Sequence, residues 1–346
     1  MPRRKKTRGF GFSRNNLSNK KNTHITSEKG TTLFKRFSSN FSAAAAAVLL
    51  TPAASYALPE GLVIRKGEIS VKNEGGKSLI LNQSTNNAFG DWQSFNINVD
   101  EIVNINQPTV DSLMVGRIVG GNATEIFGGI SANGSLLLLN PQGILFGENA
   151  TINAANFAAS TLDIDFDAFD KNNAIRLNLS DTFTGEETIK NLGNITVEET
   201  GLISIIAPHV INEGLLSAPL GQVQIASGSR ATLDISGDGI LGISLEESVE
   251  GLIKNKGIIQ GQNIIIGGGI ANNFIDATVN IDGIVEAKGF KSSIDVNTSG
   301  DILVQGTIDA TGTENNTGGI VKLLGERVAL FKESSVDASG STGGGE

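Results

Sequence analysis

Gly214-Leu215-Leu216-Ser217-Ala218, Gly257-Ile258-Ile259-Gln260-Gly261, Gly283-Ile284-Val285-Glu286-Ala287, Gly306-Thr307-Ile308-Asp309-Ala310 and Ser334-Ser335-Val336-Asp337-Ala338 share one layout. Successive copies start 43, 26, 23 and 28 residues apart. Counting the 43 as two turns puts the period in the twenties, which is too short for a helix-hairpin repeat and suits one rung of a β-solenoid. Gly129-Ile130-Ser131-Ala132 and Ala150-Thr151-Ile152-Asn153-Ala154 read as earlier copies.

Within a rung the apolar residues come in runs of three to five, as in Leu202-Ile203-Ser204-Ile205-Ile206 and Gln222-Val223-Gln224-Ile225, bounded by Gly, Asn or Asp. Alternation over so few residues indicates strand, and no stretch of the body sustains a 3.6-residue period. The best helix candidate is the short segment from Ser244 to Val249. Rungs stacked about 4.8 Å apart pair each backbone donor with a neighbour, while inward Ile, Leu and Val build a continuous core. At about 22 residues a rung, the chain from Leu58 onward makes roughly 13 rungs and about 60 Å of rod. An antiparallel sandwich fits the composition but not the period.

The composition agrees with many short strands and turns: Gly is 43 of 346 residues, with 16 Phe but one Trp and one Tyr. There is no cysteine, so neither disulfides nor thiolate metal sites are available. The net charge of −9 hides two opposite parts. Residues 1–57 take 11 of the 27 basic residues and a single acid, Glu28, which leaves 16 basic and 35 of the 36 acidic residues for the rest. A body that acidic repels phosphate backbones and anionic lipid, so nucleic acid is not an expected partner.

The basic start has a different reading. After Arg36 come the apolar run Phe41 to Leu50, then Pro52, then Ser55-Tyr56-Ala57. That is the order of a secretory signal peptide, with cleavage between Ala57 and Leu58. The apolar run is about half the roughly 20 residues that a membrane-spanning helix needs, so no anchor is expected in the mature chain.

From Leu58 to about Asp163 the chain resembles the two-partner-secretion domain of filamentous haemagglutinin-type exoproteins. The blocks that carry the likeness are Leu58-Pro59-Glu60-Gly61, Asp91-Trp92-Gln93-Ser94-Phe95-Asn96-Ile97 and Val103-Asn104-Ile105-Asn106-Gln107-Pro108. They continue with Arg117 to Asn122, Ile130 to Gly134, Leu139-Asn140-Pro141-Gln142-Gly143-Ile144-Leu145-Phe146-Gly147 and Asn156-Phe157-Ala158-Ala159-Ser160-Thr161-Leu162-Asp163. The resemblance implies an all-β, right-handed parallel β-helix of the pectin-lyase-like, single-stranded solenoid kind, with an N-terminal cap. It also implies export to the periplasm, capture there by the periplasmic domains of a cognate outer-membrane transporter, and passage unfolded to the cell surface or medium.

The family's Asn-Pro-Asn-Gly stands here as Asn140-Pro141-Gln142-Gly143, and no second Asn-Pro occurs. Pro141 fixes φ and Gly143 can take positive φ, so a tight turn survives, although Gln142 tolerates the left-handed region less well than Asn. These four residues are the candidate transporter-recognition motif, and a solenoid corner that no partner reads would need them equally. Trp92, Phe95, Phe157, Ser160 and Thr161 are expected to serve the fold, and Asn104 and Asn106 to form side-chain ladders.

Signals for an enzyme are weak. One histidine, His209, remains after the basic start, so a His-rich metal site is excluded and a catalytic triad would rest on it alone. Gly237-Asp238-Gly239-Ile240-Leu241-Gly242 has dinucleotide-binding spacing but lacks a parallel α/β context, and reads as a turn. Gly267-Gly268-Gly269 and the terminal Gly run lack the Asp spacing of calcium-binding repeats. The rival reading is a β-helix polysaccharide lyase or hydrolase with acids from Asp163-Ile164-Asp165-Phe166-Asp167 and Arg176 nearby. A run of alternating acids is more often a solvated strand face.

The expectation is therefore a signal peptide at 1–57, a secretion domain at 58–290 and further rungs at 291–346, with no cofactor and no enzymatic activity. Without a polar cap over its last rung, the chain reads as the front of a longer adhesin-like exoprotein with a host-cell or surface ligand. Adhesin, haemolysin and contact-dependent toxin would differ beyond residue 346.

Overall fold

The computed structural model describes residues 57–164, 174–178, 180, 184–228, 230–235, 241–247, 251–267, 277–313 and 315–346, all within one compact unit, Ala54–Glu346. The signal-peptide reading, apart from Ala57 and Leu58, lies outside the described residues.

The unit is a parallel β-helix with three faces. The first face stacks Ser78–Gln83, Ile102–Asn106, Gly129–Ala132, Thr151–Ala154 and Asn194–Val197. It continues through the first part of Leu215–Ala226, the first part of Ile258–Gly267, Ile284–Ala287, Thr307–Asp309 and Ser335–Asp337. Every copy of the repeated unit falls on this face. Gly193-Asn194-Ile195-Thr196-Val197 has the same frame, hidden by its final Val.

The second face runs from Asn87–Trp92 to Ile320–Leu324, and the third from Thr124–Ile126 to Arg327–Leu330. Two antiparallel strands, Val63–Lys66 on Asn87–Trp92 and Ile69–Glu74 on Ser78–Gln83, cover the first coil as a cap.

One inward ladder shows how the core forms: Leu79, Val103, Ile130, Ile152, Ile195, Leu216, Ile259, Val285 and Ile308 succeed one another in register, all buried. Identical placement of similar side chains lets each layer pack on the next, and the ladder hydrogen bonds satisfy the backbone.

Three expectations need correction. Leu215 pairs directly with Ile258, so the 43-residue interval is a single coil carrying an insertion. Thr151 likewise pairs with Asn194. The described residues therefore make nine complete coils and open a tenth, fewer than thirteen. The inserted segments join in a four-stranded antiparallel sheet of Asp163–Ile164, Ala174–Asn178, Arg230–Ile235 and Leu241–Glu247. The helix candidate falls here: Ser244 to Glu247 is strand, paired with Arg230–Ile235. A six-residue run is too short to repay helix nucleation when a neighbouring strand offers ladder bonds. Of the Gly237 to Gly242 pattern, Gly237 to Ile240 are outside the described residues, while Leu241 and Gly242 lie in a strand that pairs antiparallel with Arg230–Ile235.

This side sheet closes a second core on the outer surface of the second face. Leu177 and Ala231 pack with Phe89, Val115, Leu137, Leu139, Ala158 and Leu162.

Candidate functional site

Asn140-Pro141-Gln142-Gly143 forms the corner between the second and third faces of one coil. The Gly143 N–H donates to the Asn140 carbonyl at 3.0 Å, and the Gln142 N–H donates to Asn140 Oδ1 at 2.9 Å. Gly143 takes φ 103°, whereas Gln142 is not among the residues with positive φ. The departure from Asn at this position thus carries no left-handed strain, because Gly143 alone supplies the reversed dihedral.

Asn140 is 1% exposed, and its amide donates to the Asn122 carbonyl and Thr124 Oγ1, each at 2.9 Å. Pro141 is half-buried, Gln142 exposed and Gly143 buried. The side chain this corner offers outward is therefore Gln142.

The same logic runs through the other blocks. Asp91 and Arg117 are register partners: Arg117 grips the 2%-exposed Asp91 carboxylate at 2.7 and 3.0 Å, and Arg65 of the cap reaches it at 2.5 Å. Burial works against the Arg117 guanidinium, yet the hydrogen bonds to Asp91 and the charge of Asp163 hold it above its ordinary value. The Gln107 N–H donates to Asn133 Oδ1 at 2.7 Å, Asn133 Nδ2 donates back to the Gln107 carbonyl at 2.9 Å, and Gln107 Nε2 donates to the Ser112 and Ser135 carbonyls. Apart from the Gln107 to Ser112 bond, which closes a turn within one coil, and the Arg65 bond of the cap, these join one coil to the next, so that one block is the stacking partner of another, which the linear order of the blocks does not reveal.

Trp92 and Phe95 are both 1% exposed and meet edge to face at 5.2 Å; Phe157 pairs the same way with Phe146 at 5.8 Å. Ser160 and Thr161 are buried; Ser160 Oγ accepts the Leu162 N–H at 3.0 Å, and the Thr161 N–H donates to the Ile206 carbonyl at 3.1 Å. Asn104 and Asn106 make only short outer ladders, to Ser78 Oγ at 3.5 Å and Asn82 Oδ1 at 2.8 Å. The longer ladder lies elsewhere: Asn191 donates to Asn212 and Asn212 to Asn255, each at 2.8 Å and each fully buried. Its signal is Asn-x-Gly, with Asn two residues before Gly193, Gly214 and Gly257.

Ala57 and Leu58 meet the rod at its start. Leu58 is 6% exposed within the main core, and the Ala57 N–H donates to the Glu101 carboxylate.

Of the acids considered for catalysis, Asp163 lies 3.4 Å from the Arg117 guanidinium, while Asp165, Phe166 and Asp167 are outside the described residues. Arg176 sits in a strand of the side sheet and is exposed. His209 is half-buried on the third face between Thr188 and Leu252. Among the described residues, no group of three or more acids or histidines is placed to hold a metal ion, and no helix is long and apolar enough to cross a membrane.

The family profile described as "TPS secretion domain" matches residues 55–322. A heme/hemopexin-binding protein of Haemophilus influenzae (strain ATCC 51907 / DSM 11121 / KW20 / Rd) is 32% identical over 215 residues, covering 60% of this chain and 23% of that protein. A second Haemophilus influenzae protein of the same description is 32% identical over 99 residues. The chain thus spans about a quarter or less of the length of these relatives. Among solved structures, the HMW1 secretion domain from Haemophilus influenzae superposes with a TM-score of 0.62 at 24% identity, covering 82% of this chain and 84% of that one. The filamentous hemagglutinin secretion domain gives 0.53 at 15% identity over 83% of this chain and all of the other. At these identities the two structures speak for the fold.

Proposed function

This chain belongs to the family of TPS secretion domains, and on that premise we propose that it is the export-directing front of a larger surface-exposed or released exoprotein, adhesin-like and without enzymatic activity of its own. The observation that carries the reading is the family match over residues 55–322. Members of the family cross the outer membrane of Gram-negative bacteria through a dedicated outer-membrane transporter.

In this reading residues 1–57 direct the chain to the periplasm and are removed there. The transporter's periplasmic domains then capture unfolded or edge-exposed strands, by strand addition or through corners such as Asn140 to Gly143. Coils that stack one upon another outside the cell oppose backsliding, since each new coil completes the ladder of the one before. The ligand of the whole exoprotein belongs to the much longer chain that its relatives possess.

Surface delivery in cells that hold the cognate transporter tests this. Deleting residues 129–161 removes a coil and part of the next, and should abolish delivery; undiminished secretion would count against the reading. In the same assay Asn140→Ala, which strips bonds from the buried corner, and Gln142→Arg, which changes only its exposed side chain, separate folding from recognition. If a partner reads the corner, Gln142→Arg lowers delivery with an unchanged melting temperature; if only Asn140→Ala lowers it, the corner serves the fold.

A further inference from the structure

Glu101 closes the turn between the first two coils, is 3% exposed, and takes part in no ion pair among the described residues. Its carboxylate meets neutral donors instead: the Asn98 N–H at 2.7 Å and the Ala57 N–H at 3.0 and 3.3 Å. Burying a carboxylate without a counter-charge is costly, and a cation in the same corner would offset that cost.

The chain can generate one there. Hydrolysis of the Ala57–Leu58 bond adds one water, leaving a carboxylate on Ala57 and a protonated amine on Leu58. That ammonium arises one residue, about 3.8 Å, along the chain from the N–H that now touches Glu101. It cannot drift far. The Leu58 side chain is anchored in the core, and Glu60 is bridged to Ser94 by two backbone bonds of 3.0 and 3.3 Å.

We propose that Glu101 is the counter-ion of the mature N-terminus, so that removing the export tag locks the cap onto the first coil. The proposal rests on the export reading above. Before processing, the cap start holds the carboxylate by a hydrogen bond from the neutral Ala57 N–H; afterwards it holds it by a charge-assisted hydrogen bond, roughly twice as strong. Removal of the tag in the periplasm thereby supplies the charge that the cap uses when the coils stack outside the cell.

The test uses the secreted protein, whose N-terminal residue is first read by mass spectrometry. Four forms are compared: wild type, Glu101→Gln, wild type selectively acetylated at its α-amine, and the acetylated variant. The wild-type terminus should react with an acylating reagent at neutral pH about tenfold more slowly than that of Glu101→Gln, a tenfold change being one pKa unit of the amine. Acetylation and Glu101→Gln should each lower the unfolding midpoint, and together lower it no further than either alone. Equal reactivity, or additive losses, would overturn the pairing. The acetylated wild type keeps the test decisive if Glu101→Gln folds poorly. A terminus other than Leu58 overturns the cleavage position and the pairing together, whereas a Leu58 terminus without coupling overturns the pairing alone.

Discussion

The coils before residue 164 and those after residue 188 fill the same three-faced core by different means. The early coils point Trp92, Phe95, Phe146 and Phe157 inward, and their two edge-to-face pairs wedge layers of unequal composition together. In the later coils the buried apolar residues of the described chain are Ile, Leu, Val and Ala, stacked like on like: Ile189, Val210, Ile253, Val279 and Ile302 on the third face, and Ile205, Ile225, Ile266 and Val296 on the second. The early part starts the rod, and its Asp91 to Arg117 pair, with Asp91 buried, is joined by Arg65 of the cap, whereas the matching Asp301 to Arg327 pair of the later coils is exposed. The later part propagates it, with the same contact made in coil after coil. A solenoid can be copied only after something unique has fixed its register.

If copying governs the later coils, their closest contacts should be the least forgiving. A Cβ on Gly257 would lie 2.1 Å from the Gly214 carbonyl oxygen, and the same clash recurs for Gly214 on Gly193, Gly283 on Gly257 and Gly306 on Gly283. These oxygens accept the next coil's ladder bonds, so none can move without breaking the stack. Gly257→Ala should therefore cost about 3 kcal/mol or more by overpacking. Gly121→Ala, at φ 77° with open space around the added carbon, should cost only about 1 kcal/mol of backbone strain. Denaturant melts of the two variants check this, and equal losses would break the distinction between the two parts.

The buried asparagine ladder comes next in size. Register places Asn191, Asn212 and Asn255 where Phe146 stands below and Ile281 above, so three polar layers interrupt an apolar column. Asn212→Ala leaves a donor of Asn191 and an acceptor of Asn255 without their ladder bonds, which should cost about 2–3 kcal/mol. Asn106→Ala, which breaks an exposed bond to Asn82, should change the midpoint by only a few tenths of that. A mild Asn212→Ala would mean that the column tolerates apolar and polar layers alike.

The same contrast explains what could be read from the sequence. The repeated unit was visible because one face demands a small residue, an inward apolar residue and an outward polar one in each coil. The insertions were invisible because a 43-residue interval divides as easily into two periods as into one period and a hairpin, and only the pairing of Leu215 with Ile258 decides. The Asn140 to Gly143 turn was legible from Pro141 and Gly143. Which of its side chains faces outward was not, since that depends on bonds to Asn122 and Thr124, contributed by the preceding coil. Glu101 carried no signal at all: an acid in a polar turn looks solvated until the cap is seen to cover it.

The smallest effect expected tests the later coils from the opposite side, by improving one of them. Asp295 lies on the outer surface of the second face, and its Oδ1 is buried without a hydrogen-bond partner. Burial pushes its carboxyl above the ordinary 3.8, and the charge of Lys322 on the next coil only partly opposes this. For an acid whose folded-state value is raised, the folded state binds the proton more readily than the unfolded state. Ionised Asp295 therefore costs stability at neutral pH, and the cost disappears as pH falls through the raised value. Asp295→Asn should raise the melting temperature slightly at pH 7, and its advantage should shrink steadily as the pH is lowered toward the ordinary carboxylate range. A variant that melts below the wild type at pH 7 would show that Lys322 outweighs burial, and that this outer ladder is held by charge pairing like that of Asp91 and Arg117 in the early coils.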